Sequence, residues 1–135
     1  MKRFALILTV SLLMLCGCQY IISYHTEELL PDLIDPASEE EQILSVTVTD
    51  ERTGDYVILE GRDVETMLMY LEGVECARRK VQDDTEILYR ISFVLQSGTT
   101  PDFCILAEDE YLVGKYRYVS INGFVDLLYF ENLFK

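Results

Sequence analysis

The 135-residue chain is poor in the residues that most enzymes and nucleic-acid binders rely on. It has one histidine, His25, and no tryptophan. With His25 ahead of the periodic part of the chain, the domain has no Ser-His or Cys-His nucleophile pair and no histidine-based zinc site. The seven glycines stand singly, as turn residues, so no glycine-rich loop is available to cradle a phosphate. Neither the Asp-x-Asp-x-Asp-Gly pattern of a calcium loop nor a Cys-x-x-Cys redox pair is present. Cations are scarce. Eleven Lys and Arg stand against 24 Asp and Glu, a formal charge of −13, which argues against nucleic acid because phosphate binding is driven by cationic neutralisation. Long apolar runs are missing as well, since crossing a bilayer takes about 20 consecutive apolar residues and the longest stretch here is much shorter.

That longest stretch, Phe4 to Leu15, follows Lys2 and Arg3 and is broken only by Thr9 and Ser11. A cationic start followed by a short apolar segment is the pattern of an export signal. The next residues, Leu15-Cys16-Gly17-Cys18, resemble the bacterial lipobox, with an aliphatic residue at −3 and a small residue at −1 before the modified cysteine. The resemblance implies cleavage after Gly17 and a diacylglycerol on the Cys18 sulfur. Two acyl chains hold a protein stably on a membrane where one holds it only reversibly. The expected division is therefore a signal peptide over 1–17, a lipidated cysteine and acidic tether over 18–42, and one domain over 43–135. Loss of Lys2 and Arg3 with no acid takes the charge from −13 to −15. The tether holds Glu27, Glu28, Asp32, Asp35, Glu39, Glu40 and Glu41 but no Lys or Arg, together with Pro31 and Pro36. It reads as mostly extended, with room for a helical turn near Glu27 to Leu30, and would span roughly 25–30 Å.

In the domain, Leu44, Val46 and Val48 alternate with Ser45, Thr47 and Thr49, the period of a half-buried strand. A turn at Glu51-Arg52-Thr53-Gly54 leads to a return strand, Tyr56 to Leu59. Asp63 is placed to cap a helix carrying Val64, Met67, Leu68 and Leu71, and Gly73 ends it. Ile87, Tyr89, Ile91, Phe93 and Leu95 share one face of a later strand, and shorter strands follow at Phe103 to Ala107, Tyr111 to Val113 and Lys115 to Ser120. Phe124, Leu127, Leu128 and Glu131 suggest a short C-terminal helix. The expected class is α+β: a small antiparallel sheet in β-β-α-β-β-β order, a helix packed on one face and a short C-terminal helix. The strand-turn-strand opening, the Asp-led helix after Gly61 and the Tyr-x-Ile-x-Phe strand resemble the YhfM-like small lipoprotein domains of Gram-positive bacteria. That likeness implies no functional residue.

Chemistry-bearing groups are few. Asp83-Asp84 with Glu86, and Glu108-Asp109-Glu110, are acidic clusters that read as solvated turns, with weak cation binding or hydrolysis as the rarer alternatives. Cys76 and Cys104 allow two readings: a disulfide closing a loop of about 29 residues, worth roughly 3–4 kcal/mol, or two separate thiols. Arg78-Arg79-Lys80 is the basic cluster of the domain. It reads either as a contact for an anionic ligand or as charge on an exposed edge strand. Tyr116 and Tyr118, flanking Arg117, read as core residues or as a stacking platform. No cofactor is implied. The expectation is a lipid-anchored protein on the extracytoplasmic face of a cell membrane, a non-catalytic binding or accessory module for a protein or envelope ligand. The alternatives are a regulatory or immunity-type partner of a cationic protein or peptide, and a small cation-dependent hydrolase.

Overall fold

Alternation of apolar and polar side chains builds most of what the computed structural model describes, namely residues 23–29, 42–80 and 85–135. The strands are β1 (Ser23–His25), β2 (Ile43–Asp50), β3 (Tyr56–Leu59), β4 (Glu75–Arg79), β5 (Tyr89–Leu95), β6 (Asp102–Ala107), β7 (Glu110–Val113) and β8 (Tyr116–Asn122). The helices are α1 (Thr26–Leu29), α2 (Arg62–Leu71) and α3 (Leu127–Asn132). All eight strands form one antiparallel sheet in the spatial order β1-β4-β8-β7-β6-β5-β2-β3. The molecule is α+β in character and rich in strand.

In β5, every second residue from Tyr89 to Leu95 is buried, as its period of two requires. The register carries that face across the sheet. Val46 and Val48 lie opposite Phe93 and Ile91, and Tyr89 lies opposite Ile105, which faces Tyr111, which faces Tyr118. Val64, Met67 and Leu71 of α2 and Phe130 of α3 belong to the same buried cluster. The other face carries paired charges: Arg90 with Glu51 at 2.7 Å and Asp102 at 3.2 Å, and Arg117 with Glu110 at 2.9 Å.

The element order differs from the sequence expectation: β1 and β4 lie outside it, and five strands follow α2 where the β-β-α-β-β-β order has three. Segment 18–42 is not tether throughout. Ser23–His25 pairs with β4 (Ser23 opposite Ala77, His25 opposite Glu75), and the next residue, Thr26, is fully buried. Thr26 N–H donates to the Val74 carbonyl at 2.9 Å, and Val74 N–H donates to Thr26 Oγ1 at 3.4 Å. The rest of that segment, and the signal peptide with Cys18, lie outside the described residues. Two helix details also change. The N-cap of α2 is Gly61, at φ +56°, with Asp63 inside the first turn. In α3 the cap is Asp126, whose Oδ1 accepts from Leu128 N–H at 3.0 Å, and Val125 and Phe130 are buried while Phe124 and Leu128 face solvent.

Candidate binding surface

The disulfide reading fails on geometry. Cys76 lies in β4 and Cys104 in β6, with β8 and β7 between them. Three strand spacings amount to about 14 Å, beyond the span a disulfide bridges. The register also sets them on opposite faces. Cys76 shares a face with Arg78, Tyr118 and Tyr111, whereas Cys104 sits opposite Arg90 and Leu112. Both are buried thiols. Cys76 Sγ donates to the Tyr24 carbonyl at 3.3 Å, and burial pushes the Cys104 thiol above its usual range despite the nearby Arg90. A thiol held protonated in this way is a poor nucleophile.

Cys104 and the Arg90–Asp102 pair line a shallow cleft of about 440 Å³, with Leu29, Leu112 and Pro101. Among the described residues, no three of His, Cys, Asp and Glu converge on a point that could hold a metal. The acidic turn carries Glu108, which is exposed, and Glu110, which is engaged by Arg117. Asp83 and Asp84 lie outside the described residues. His25, the tether histidine of the sequence reading, is the last residue of β1.

The sheet does bring together two features that sequence offers separately. Arg78 extends from β4 onto the face that holds Tyr118, its direct cross-strand neighbour. Its guanidinium lies 4.0 Å from the centre of the Tyr116 ring, 5.1 Å from Tyr24 and 5.8 Å from Tyr118. Tyr24 and Tyr118 meet edge to face at 5.7 Å. Tyr118 is buried, Tyr24 half-buried and Tyr116 exposed, so the rings grade from core to solvent under an exposed cation. The neighbouring Tyr118 hydroxyl is the chief cause that raises the pKa of Arg78 further, and it stays charged at any physiological pH. Three rings limit the rotamers of a long, flexible side chain. A guanidinium restrained in this way suits a bidentate oxyanion, either carboxylate or phosphate.

The surrounding charge has the same sign. Arg79 and Lys80 continue the strand and are exposed, and Lys115, in the β7–β8 turn, stands 5.7 Å from the Tyr116 ring centre. Among the described residues, Arg52, Arg90 and Arg117 are tied to carboxylates; Arg78, Arg79, Lys80 and Lys115 are not, nor are Arg62 and Lys135 elsewhere on the surface. The edge-strand reading of the cluster is thus refined. β4 is second from the edge, and β1 covers only its Glu75–Ala77 portion. Sequence reading marks Arg78–Lys80 and the Tyr116/Tyr118 pair but misses Tyr24 and Lys115. The signal for Tyr24 was the β-favouring run Tyr20-Ile21-Ile22-Ser23-Tyr24, outweighed by the acids and prolines after it.

Among the described residues, no helix is long and apolar enough to cross a membrane. Comparison with protein-family models, with curated proteins and with solved structures found no match.

Proposed function

We propose that this chain is a bacterial lipoprotein precursor, anchored through lipid on Cys18 to the extracytoplasmic face of the cell membrane. Its domain is a non-catalytic binding module. The anchor rests on the cationic start, the short apolar segment and the Leu15-Cys16-Gly17-Cys18 resemblance. The observation that carries the binding reading is Arg78, exposed and braced by three tyrosines at the head of the cationic group Arg79, Lys80 and Lys115. The three rings restrict the guanidinium and so pre-organise it for a planar oxyanion. The surface is therefore read as the contact for an anionic group.

The anchor is tested in cells that process lipoproteins. The wild-type chain is expected to fractionate with membranes and to incorporate labelled palmitate, and Cys18→Ala is expected to lose both. Palmitate incorporation by Cys18→Ala, with retained membrane fractionation, would reject the assignment.

A further inference from the structure

The direction of β1 places the cationic group relative to the anchor. β1 runs antiparallel to β4, with Ser23 opposite Ala77, so the chain enters β1 at the end of the sheet where β4 continues into Arg78, Arg79 and Lys80. Tyr116 opens β8 beside them and Lys115 occupies the adjoining turn, because Arg79 lies opposite Arg117. Only four residues lie between Cys18 and Ser23, and five residue steps reach at most about 18 Å. A lipid on Cys18 therefore holds this end of the sheet within one short chain length of the bilayer.

The two ends of the sheet differ in charge. At the β4–β8 corner of the anchor end, the cations Arg78, Arg79, Lys80 and Lys115 have no carboxylate partner among the described residues; Asp102 is occupied by Arg90, and the exposed Glu60 that follows β3 lies at the same end but at the opposite edge of the sheet. At the opposite end, the β2–β3 turn carries Asp55 and the β6–β7 turn carries Glu108 and Asp109. A chain with a net charge of −13 thus carries, at the end nearest its anchor, four of the six described cations that form no ion pair among the described residues, the others being Arg62 and Lys135. The tyrosines Tyr24 and Tyr116 stand among them, a side-chain type suited to the interface between head groups and water.

We infer that this end of the sheet docks on the membrane that holds the anchor, with Arg78, Arg79, Lys80 and Lys115 binding the phosphates of anionic lipid head groups. The inference rests on the lipid-anchor reading and adds to it an orientation and a partner. Each Lys or Arg close to an anionic surface is attracted to it, and the anchor makes the contact intramolecular in effect, so a weak interaction is largely formed. The acidic end is then held away from the membrane, free for other contacts.

Lysine acetylation, read peptide by peptide in a mass spectrometer, tests this on the full-length lipidated protein reconstituted in vesicles. One set of vesicles is pure phosphatidylcholine and the other contains about a third phosphatidylglycerol. Lys80 and Lys115 are expected to react at least threefold more slowly on the anionic vesicles. Lys135, beside Asp55 and Tyr56 at the far end, should react equally on both and serves as the internal control. Arg78→Ala with Arg79→Ala should restore most of the reactivity at Lys80 and Lys115 while leaving sedimentation with vesicles unchanged. Equal labelling of Lys80 and Lys115 on the two vesicle types, with the protein still sedimenting, would overturn the docking and leave the anchor standing. Equal protection by free inorganic phosphate on neutral vesicles would overturn it too, in favour of a soluble-anion site. Failure of the wild type to sediment would remove the anchor and this inference together.

Discussion

At the residue scale, the best-formed polar group is Asp50 at the end of β2. Its carboxylate is mostly buried and accepts from Arg52 through Nε and Nη2, both at 3.1 Å, and from Arg52 N–H at 2.9 Å. Arg52 Nη2 also donates to the Tyr89 hydroxyl at 2.8 Å, which ties the β2–β3 turn to the buried start of β5. Bonding to Arg52 holds the Asp50 carboxyl below the ordinary aspartate value of 3.8, against the opposing effect of burial. A carboxyl with a depressed folded-state pKa stabilises fully above its unfolded value, and the benefit is lost as pH falls through the folded value. Asp50→Asn is therefore expected to cost about 1 kcal/mol at neutral pH, a modest figure because water screens the half-exposed Arg52 side chain. The difference between the two proteins in urea midpoint should shrink as pH falls below the ordinary aspartate value and through the lower folded-state one. A difference independent of pH would assign the effect to packing and not to charge.

At the element scale, β1 is the piece whose role the fold redefines. It is short and sits at the sheet edge, but Thr26 just beyond it is fully buried and exchanges two hydrogen bonds with Val74. Thr26→Pro keeps a backbone angle suited to the first turn of α1 but removes both bonds to Val74, the N–H that donates to its carbonyl and the Oγ1 that accepts from its N–H. It should destabilise by about 1–3 kcal/mol in urea and speed amide hydrogen exchange in both β1 and Glu75–Ala77 of β4. Faster exchange in β1 alone would mean that β4 does not depend on it. The same two strands mark where sequence pattern stops being legible. β2 and β5 show in the sequence because one face of each is buried and the period of two survives. β4 does not, because Cys76 and Ala77 are consecutive and both buried, and the charged Arg78 and Arg79 close the strand. Sandwiched between β1 and β8, β4 is covered on both faces at its middle and open at its end, a pattern set by its neighbours. The helix ends slip for a related reason. Gly61 at φ +56° starts α2 ahead of Asp63, and burial of Phe130 turns the face of α3 that carries Leu128 outward, while Phe124 lies exposed before the helix begins. The candidate site is legible in pieces: Arg78–Lys80 and Tyr116/Tyr118 each stand out in sequence, but only the register between β4 and β8 stacks one on the other.

At the scale of the whole molecule, net charge and local charge point in opposite directions, and distance decides between them. β2, eight residues long, spans about 26 Å at roughly 3.3 Å per residue, a measure of the separation between the cationic and acidic ends. At physiological ionic strength the Debye length is about 8 Å, so an anionic surface at the anchor end feels Arg78, Arg79, Lys80 and Lys115 and is almost blind to Asp55, Glu108 and Asp109. In about 0.01 M salt the Debye length grows to about 30 Å, and the acidic end enters the balance. Protection of Lys80 and Lys115 on phosphatidylglycerol vesicles should consequently be non-monotonic. It should rise from about 0.01 M to about 0.15 M salt as the repulsive end is screened out, then fall toward 1 M as the contacts themselves are screened. Charge reversal at the far end, with Glu108→Lys and Asp109→Lys together, should remove the low-salt weakening and leave the high-salt fall in place. A decline at every step from the lowest salt upward in the wild type would show that the acidic end exerts no force on the membrane. The ordinary solubilising surface would then suffice to explain those carboxylates.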